Sequence, residues 1–298
     1  MRDIKISRKR WLADLLWAAN SPNLLSVNET FFPPHCVAES VDVKQLANWC
    51  IQNRQARVGL YFEDLVHYLL AYQFNYRILL RHQQVFNGKQ TVGEIDFVFQ
   101  SDEGLVTHLE TAVKFFLYYP QSKGFESHYI GPNSADNLVL KTRRLLEHQL
   151  PLSDRISLEI DRKLAWVKGR VFFNPELNEP ITLDEILNPG VSRCVWVWYK
   201  QLPFLFTKYA GCSFAHLRKP YWLAEVNAHS VESHWDNELA ARKLQDHFEY
   251  NCPIGDQRGF GRPVLLAIMS GDRHATEIAR VFVVPDAWPY DRAEQIVS

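Results

Sequence analysis

The stretch that most constrains this chain is VGEIDFVF (92–99) followed by LVTHLETAVKFFL (105–117), with Ser101-Asp102-Glu103-Gly104 between them. Two runs of strand formers around a polar turn predict an antiparallel hairpin. Alternate residues of a strand share a face, so Glu94, Asp96 and Val98 point one way and Ile95, Phe97 and Phe99 the other. On the second strand His108, Glu110, Ala112 and Lys114 line one face, and Leu109, Thr111, Val113, Phe115 and Leu117 the opposite one. Pairing Asp96 with Glu110 also pairs Gln100 with Val106 across a five-residue loop, an ordinary hairpin length. Opposed residues have Cβ atoms about 4.5–5.5 Å apart, so two carboxylates there repel unless a cation lies between them or one keeps its proton. A hard ion such as Mg²⁺ (or Mn²⁺) suits that geometry. The plain alternative is a solvated hairpin face, or ordinary ion pairs. A register one residue off, without a bulge, would put the acids on opposite faces.

Around the hairpin the chain falls into three regions: residues 1–55, mostly helical; 56–175; and 176–298. In the first, Trp11, Leu12, Leu15, Leu16 and Ala19 recur at helical spacing, and Phe31-Phe32-Pro33-Pro34 must be extended. In the second, Phe62, Leu65, Val66, Leu69 and Tyr72 mark a long helix with Glu63 at the edge of the stripe, followed by the strand-like YRILLRHQQVF. After the hairpin, Ser134 is a candidate N-cap for a helix over about 135–150 that Pro151 ends. KLAWVKGRVFF (163–173) then reads as a further strand. The order helix, three strands, helix, strand predicts an α/β layer fold. In the third region CVWVWYK, a helix near 235–248, PVLLAIM and IARVFVV are either a small domain or an elaboration of the same sheet.

At 298 residues and 47% hydrophobic content the chain can bury one large core or two modest ones, and two are expected. A formal net charge of -1 excludes a basic tail, so any contact with phosphate must come from a local patch. Cys36, Cys50, Cys194, Cys212 and Cys252 form no C-x-x-C pair and are odd in number, which argues against a disulfide framework or a zinc site. Lys5, Arg8, Lys9 and Arg10 before WLADLLWAAN have the outline of a signal peptide, but Asp14 interrupts the short apolar run. No run approaches the roughly 20 apolar residues that cross a bilayer. A cytoplasmic protein without a membrane partner is the expectation.

Glu63 on the first helix of the second region, Gly93-Glu94-Ile95-Asp96 on the second strand and an apolar strand carrying Glu110 and Lys114 together resemble the PD-(D/E)XK nuclease superfamily. The whole chain resembles a bacterial family of unknown function assigned to it, through RVGLYFEDLVHYLL, VGEIDFVF, HLETAVKFFL, KTRRLLEHQL, VKGRVFF and RVFVVPDAWP. The resemblance implies a restriction-endonuclease-like core over 56–175, with an N-terminal helical region and a C-terminal α/β extension. It further implies metal-dependent hydrolysis of nucleic-acid phosphodiesters. Asp96 and Glu110 would be metal ligands, Glu63 would complete the site through water, Lys114 would orient or polarise the attacking water, and Gln149 would match a glutamine of the following helix. A catalytically silent module binding nucleic acid or protein is the alternative. Here the sequence departs from the superfamily's E-x-K spacing, because Ala112 occupies the intervening same-face position. Glu110 and Lys114 would have Cα atoms roughly 13 Å apart along a regular strand. Either a bulge shortens that distance, or Lys114 is not the catalytic lysine and pairs with Glu94.

Two other motifs carry less. His108-x-Glu110 has the H-x-E of zinc deaminases without their P-C-x-x-C partner. Arg258-Gly259-Phe260-Gly261 begins like an RNP1 signature, but Arg262-Pro263 replaces its aromatic continuation. Lys141, Arg143, Arg144 and His148 give the helix before Pro151 a basic surface that could meet phosphates, although such runs are usually solvated faces.

Overall fold

A computed structural model describes residues 8–121, 127–177, 184–250, 262–271 and 275–289. Lys5, Cys252 and Arg258 to Gly261 lie outside the described residues. Among the described residues nine strands form one mixed sheet: β1 (Arg77–Asn87), β2 (Gln90–Gln100), β3 (Val106–Tyr118), β4 (Tyr129–Ile130), β5 (Arg162–Phe173), β6 (Arg193–Trp198), β7 (Ser213–His216), β8 (Val264–Met269) and β9 (Glu277–Val284). Their order is β1-β2-β3-β5-β6-β9-β8-β7, with β4 beside β3. The central strands β3, β5, β6 and β9 run parallel, and antiparallel pairs flank them. Because β6 pairs directly with β5, the C-terminal third extends this sheet.

Helices cover both faces. On one, α1 (Arg8–Asn20), α2 (Val43–Gln52) and α3 (Val58–Tyr68) contribute Leu15, Leu46, Phe62 and Leu65 to a core shared with Phe97, Leu109, Trp166, Phe172 and Phe282. On the other, Leu138 of α4 (Leu138–Arg144) and Leu145 after it pack with Leu24, Phe116, Val167 and Val171. The α5 (Leu202–Lys208) and α6 (Asn237–Gln245) segments cover the β8–β9 end. Neither α5 nor β7 is anticipated by periodicity, since runs of seven and four residues are too short to show one.

The hairpin register is the one the two acids require: Phe97 stands opposite Leu109, Val98 opposite His108 and Gln100 opposite Val106. The β2 ladder stops at Phe97 and Leu109, and β4 rejoins β3 only at Leu117 and Tyr118. Between them the middle of β3 is paired on its β5 side, from Glu110 with Ala165 to Phe116 with Val171. The sheet therefore has a gap beside Glu110. In that stretch Gly169 of β5 lies so close to β3 that a Cβ there would stand 1.9 Å from the Lys114 carbonyl oxygen.

Three sequence expectations need correction. Ser134 does not cap a helix; it sits at φ 58°, and Asn137 is the N-cap, its side chain accepting from the Leu140 N–H at 2.9 Å. Pro151 does not end the helical segment either. A π turn over Leu145–Gln149 leads into a 3₁₀ turn over Leu150–Arg155, with Pro151 in its first turn, where the missing N–H has no partner to lose. In α1, finally, the buried side includes Asp14, with no exposed surface, whereas Trp11, Leu12 and Leu16 are half-buried. Asp14 pairs with Arg10 at 3.0 Å and accepts from the Tyr61 hydroxyl at 3.0 Å and the Ala224 N–H at 2.9 Å.

Among the described residues the outer strand β1 pairs only with β2. Its ladder slips between Ile78 and Leu80 and again between Val85 and Phe86, and His82 within it has φ 50°.

Candidate functional site

Glu110 sits at the gap in the sheet and is fully buried. Its Oε1 lies 2.8 Å from His108 Nε2, and its Oε2 accepts from Gln149 Nε2 at 2.6 Å. His108 and Glu110 alternate on one strand face, which brings them together; His108 Nδ1 is held 3.0 Å from Ser153 Oγ. Gln149 arrives from the other layer at the end of the π turn, a wider helical turn that recurs at functional sites.

Asp96 lies on β2 just past the last rung of the ladder. Its Oδ2 accepts from the Thr111 N–H at 2.8 Å and the Thr111 hydroxyl at 3.0 Å, so the carboxylate takes over where a strand carbonyl would have been. Its backbone N–H points to Glu110 Oε1 at 3.4 Å. Asp96 Oδ1 has no hydrogen-bond partner among the described residues. Burial and then the charge of Glu110 push the Asp96 pKa up to about 8, against the pull of the Thr111 donors.

Glu63, half-buried on α3, makes no hydrogen bond or ion pair with the described residues. Burial pushes its pKa up to about 7; Arg81 opposes this, while Asp64, Glu94 and Glu110 add to it. The Arg81 guanidinium is itself committed to Asp64. His67, one turn along, packs its ring on Trp49 at 4.8 Å.

Asp96, Glu110 and Gln149 are thus brought together, and Glu63 stands within their electrostatic reach. Lys114 turns elsewhere: its Nζ is 3.7 Å from Asp136, a carboxylate that Lys141 shares at 3.8 Å. Burial lowers its pKa, and Asp136 is the strongest charge acting on it. Glu94 meets His82 at 3.3 Å instead of Lys114. From Thr111 and Gln149 a cleft of about 260 Å³ opens past Lys114, Lys141 and Arg144.

Among the described residues no group of three or more His, Cys, Asp or Glu side chains is placed to hold a metal ion. A closed protein cage is therefore not what these residues offer. Mg²⁺, however, is commonly held by one or two carboxylates with several waters. Asp96 Oδ1 and the Glu63 carboxylate are uncommitted, and of the two Glu110 oxygens Oε2, bonded only by Gln149, keeps a second lone pair, while Oε1 already meets His108 Nε2 and the Asp96 N–H. The donors fit a hydrated hard cation held by two carboxylates.

A family model described as Domain of unknown function (DUF1853) matches residues 13–284. The chain belongs to that family. No curated protein and no solved structure matches it. The DUF1853 description brings no activity with it, and no link to the PD-(D/E)XK superfamily. What this DUF1853 chain adds to the residues singled out from sequence is a role for His108, which holds Glu110, together with Thr111 and the Arg81–Asp64 pair. The shared face of His108 and Glu110 is already given by strand alternation; their bond is what the structure adds. Thr111 could not have been found, because a regular strand points it away from Asp96.

No helix among the described residues is long and apolar enough to cross a membrane.

Proposed function

We propose that this protein hydrolyses nucleic-acid phosphodiesters with a divalent metal, on a PD-(D/E)XK-like core formed by α3, β1 to β3, α4 and β5. The observation that carries the reading is the contact of Asp96 with Glu110 at the gap in the sheet, where Asp96 is driven to hold a proton that a cation could replace. The antiparallel β1-β2-β3 unit with β5 parallel to β3 supports it further. Asp96 and Glu110 would hold Mg²⁺ or Mn²⁺, and Glu63 would complete the site through water. A bound divalent ion supplies a water of lowered pKa and charge neutralisation at the phosphoryl oxygens. His108 and Gln149 fix the Glu110 carboxylate, while Lys114 and Lys141 offer positive charge to a phosphate in the adjoining cleft.

A second reading, a silent module that binds nucleic acid or protein without cutting, is favoured by Lys114 being engaged by Asp136. The two are separated by incubating labelled DNA and RNA with the protein, with Mg²⁺ or Mn²⁺. Asp96→Asn and Glu110→Gln are run alongside. Cleavage by the wild type that falls by about 10²-fold or more in both variants establishes the enzyme. Identical traces from all three proteins leave the silent module.

A further inference from the structure

The cleft between β3 and α4 has two chemically distinct parts. Its floor is apolar, formed by Leu24, Phe116, Leu138, Leu145 and Val167. Its rim carries Lys114, Lys141 and Arg144. Lys114 and Lys141 share the single carboxylate of Asp136, and Arg144 has no ion-pair partner among the described residues. Three cations therefore face one anion. Thr142, only 5% exposed, also lines the cleft, and its hydroxyl has no hydrogen-bond partner among the described residues. Buried hydroxyls are normally bonded, so this one is available to a polar atom of whatever enters.

An occupant must satisfy a hydrophobic floor, a cationic rim and a buried hydroxyl within about 260 Å³. A nucleic-acid duplex answers only the rim, since its bases are stacked inside and its phosphates outside. A single unstacked nucleotide answers all three, with an apolar face, base and sugar polar atoms, and a phosphate. We propose that the cleft seats one nucleotide of a single-stranded nucleic acid. Its phosphate lies against Lys141 and Arg144, and its base lies on the floor. The assignment rests on the function proposed above, and narrows it: Thr111 and Gln149, which hold Asp96 and Glu110, also line this cleft. The phosphodiester of a strand threaded through it would pass beside the two carboxylates.

Binding is measured without metal, by fluorescence anisotropy of short labelled oligothymidylate and oligouridylate in excess EDTA. A duplex, an abasic strand of equal charge and anionic phospholipid vesicles serve as competitors. At least one of the single strands should bind roughly tenfold more tightly than the duplex. Loss of the bases should weaken binding by roughly five- to a hundred-fold, the range of base stacking on protein surfaces. In Lys141→Glu/Arg144→Glu the log–log salt slope should fall by roughly 0.7, for the one phosphate no longer neutralised. Thr142→Val, which keeps the shape and removes the unbonded hydroxyl, should melt no lower than wild type and bind more weakly. The proposal is overturned by failure of both strands to bind, by duplex or vesicles competing as well as single strands, or by a double variant that binds like wild type. Cleavage is not read, so a strand bound here by a protein that cuts no substrate refutes the catalytic reading alone. Cleavage of duplex with no single-strand affinity refutes this one alone.

Discussion

At the scale of single residues, Asp96 sets the chemistry of the site. Folding raises its pKa to about 8, mainly through burial, against about 3.9 in an unfolded chain. Between those values the folded state binds a proton that the unfolded state has released, so this group makes stability fall as pH rises from about 4 to about 8. Asparagine does not titrate, yet keeps an oxygen for the two Thr111 donors. Thermal melts of Asp96→Asn should show a gain over wild type near pH 8 that shrinks toward pH 4. Glu63 titrates in the same window and its charge adds to the Asp96 shift, so the comparison is repeated with Glu63→Gln in both proteins. Mg²⁺ should raise the wild-type Tm near pH 8 and leave the variant unchanged. Melting curves that differ by a constant amount at every pH, with no metal effect, would remove Asp96 as the titrating ligand. The facing of the two acids was legible in the sequence because strand alternation locates them, whereas Gln149 entered only through the resemblance. The direction of Lys114 was not legible: Asp136 lies on a loop, where no periodicity applies.

At the scale of elements, the β2–β3 hairpin follows from its residues because loop length and the hydrophobic alternation agree on one register. The helix after it was legible only as a helix. Its π turn and its start at Asn137 depend on how the chain docks on β3, through Gln149 to Glu110 and Leu138 and Leu145 to the floor beneath. The parallel β3–β5 pair has a further requirement that no pattern announces. Gly169 admits β5 against the Lys114 carbonyl, and the opposing atom belongs to the backbone of a central strand with little room to move. Gly169→Ala should therefore destabilise the protein by about 3 kcal/mol or more. Chemical denaturation measures this; a loss below about 1 kcal/mol would mean that the two strands can part locally. The same substitution at Gly59, where a Cβ meets no atom within 4 Å, is the control.

At the scale of the whole molecule, three stretches far apart in sequence meet at α1. Asp14 bonds Tyr61 of α3 and the Ala224 N–H, and Arg10 donates to the carbonyl of Tyr221 at 2.9 Å. The core that contains Leu15 and Phe62 also contains Phe282 and Trp288. The N-terminal helix, the middle of the chain and its C-terminal third should accordingly unfold in one transition. Asp14→Ala leaves Arg10 with a buried charge unpaired, and should cost about 3–5 kcal/mol. Its melt should stay a single step at lower temperature, with hydrogen exchange accelerating around residues 221–225 as well as in α1. A melt that splits into two steps would show that the parts are held together less tightly than these bonds require. Sequence reading missed this hub for a simple reason: a charged residue on an amphipathic helix is assigned to water by default.

The outer edge of the sheet carries a consequence of another kind. With two slips in its ladder and a left-handed residue at His82, β1 presents its free N–H and C=O groups at uneven intervals and changing angles. A second copy of this strand laid alongside would fall out of step within a few residues. The irregularities that look like flaws in this outermost strand work against its pairing with another copy along this edge.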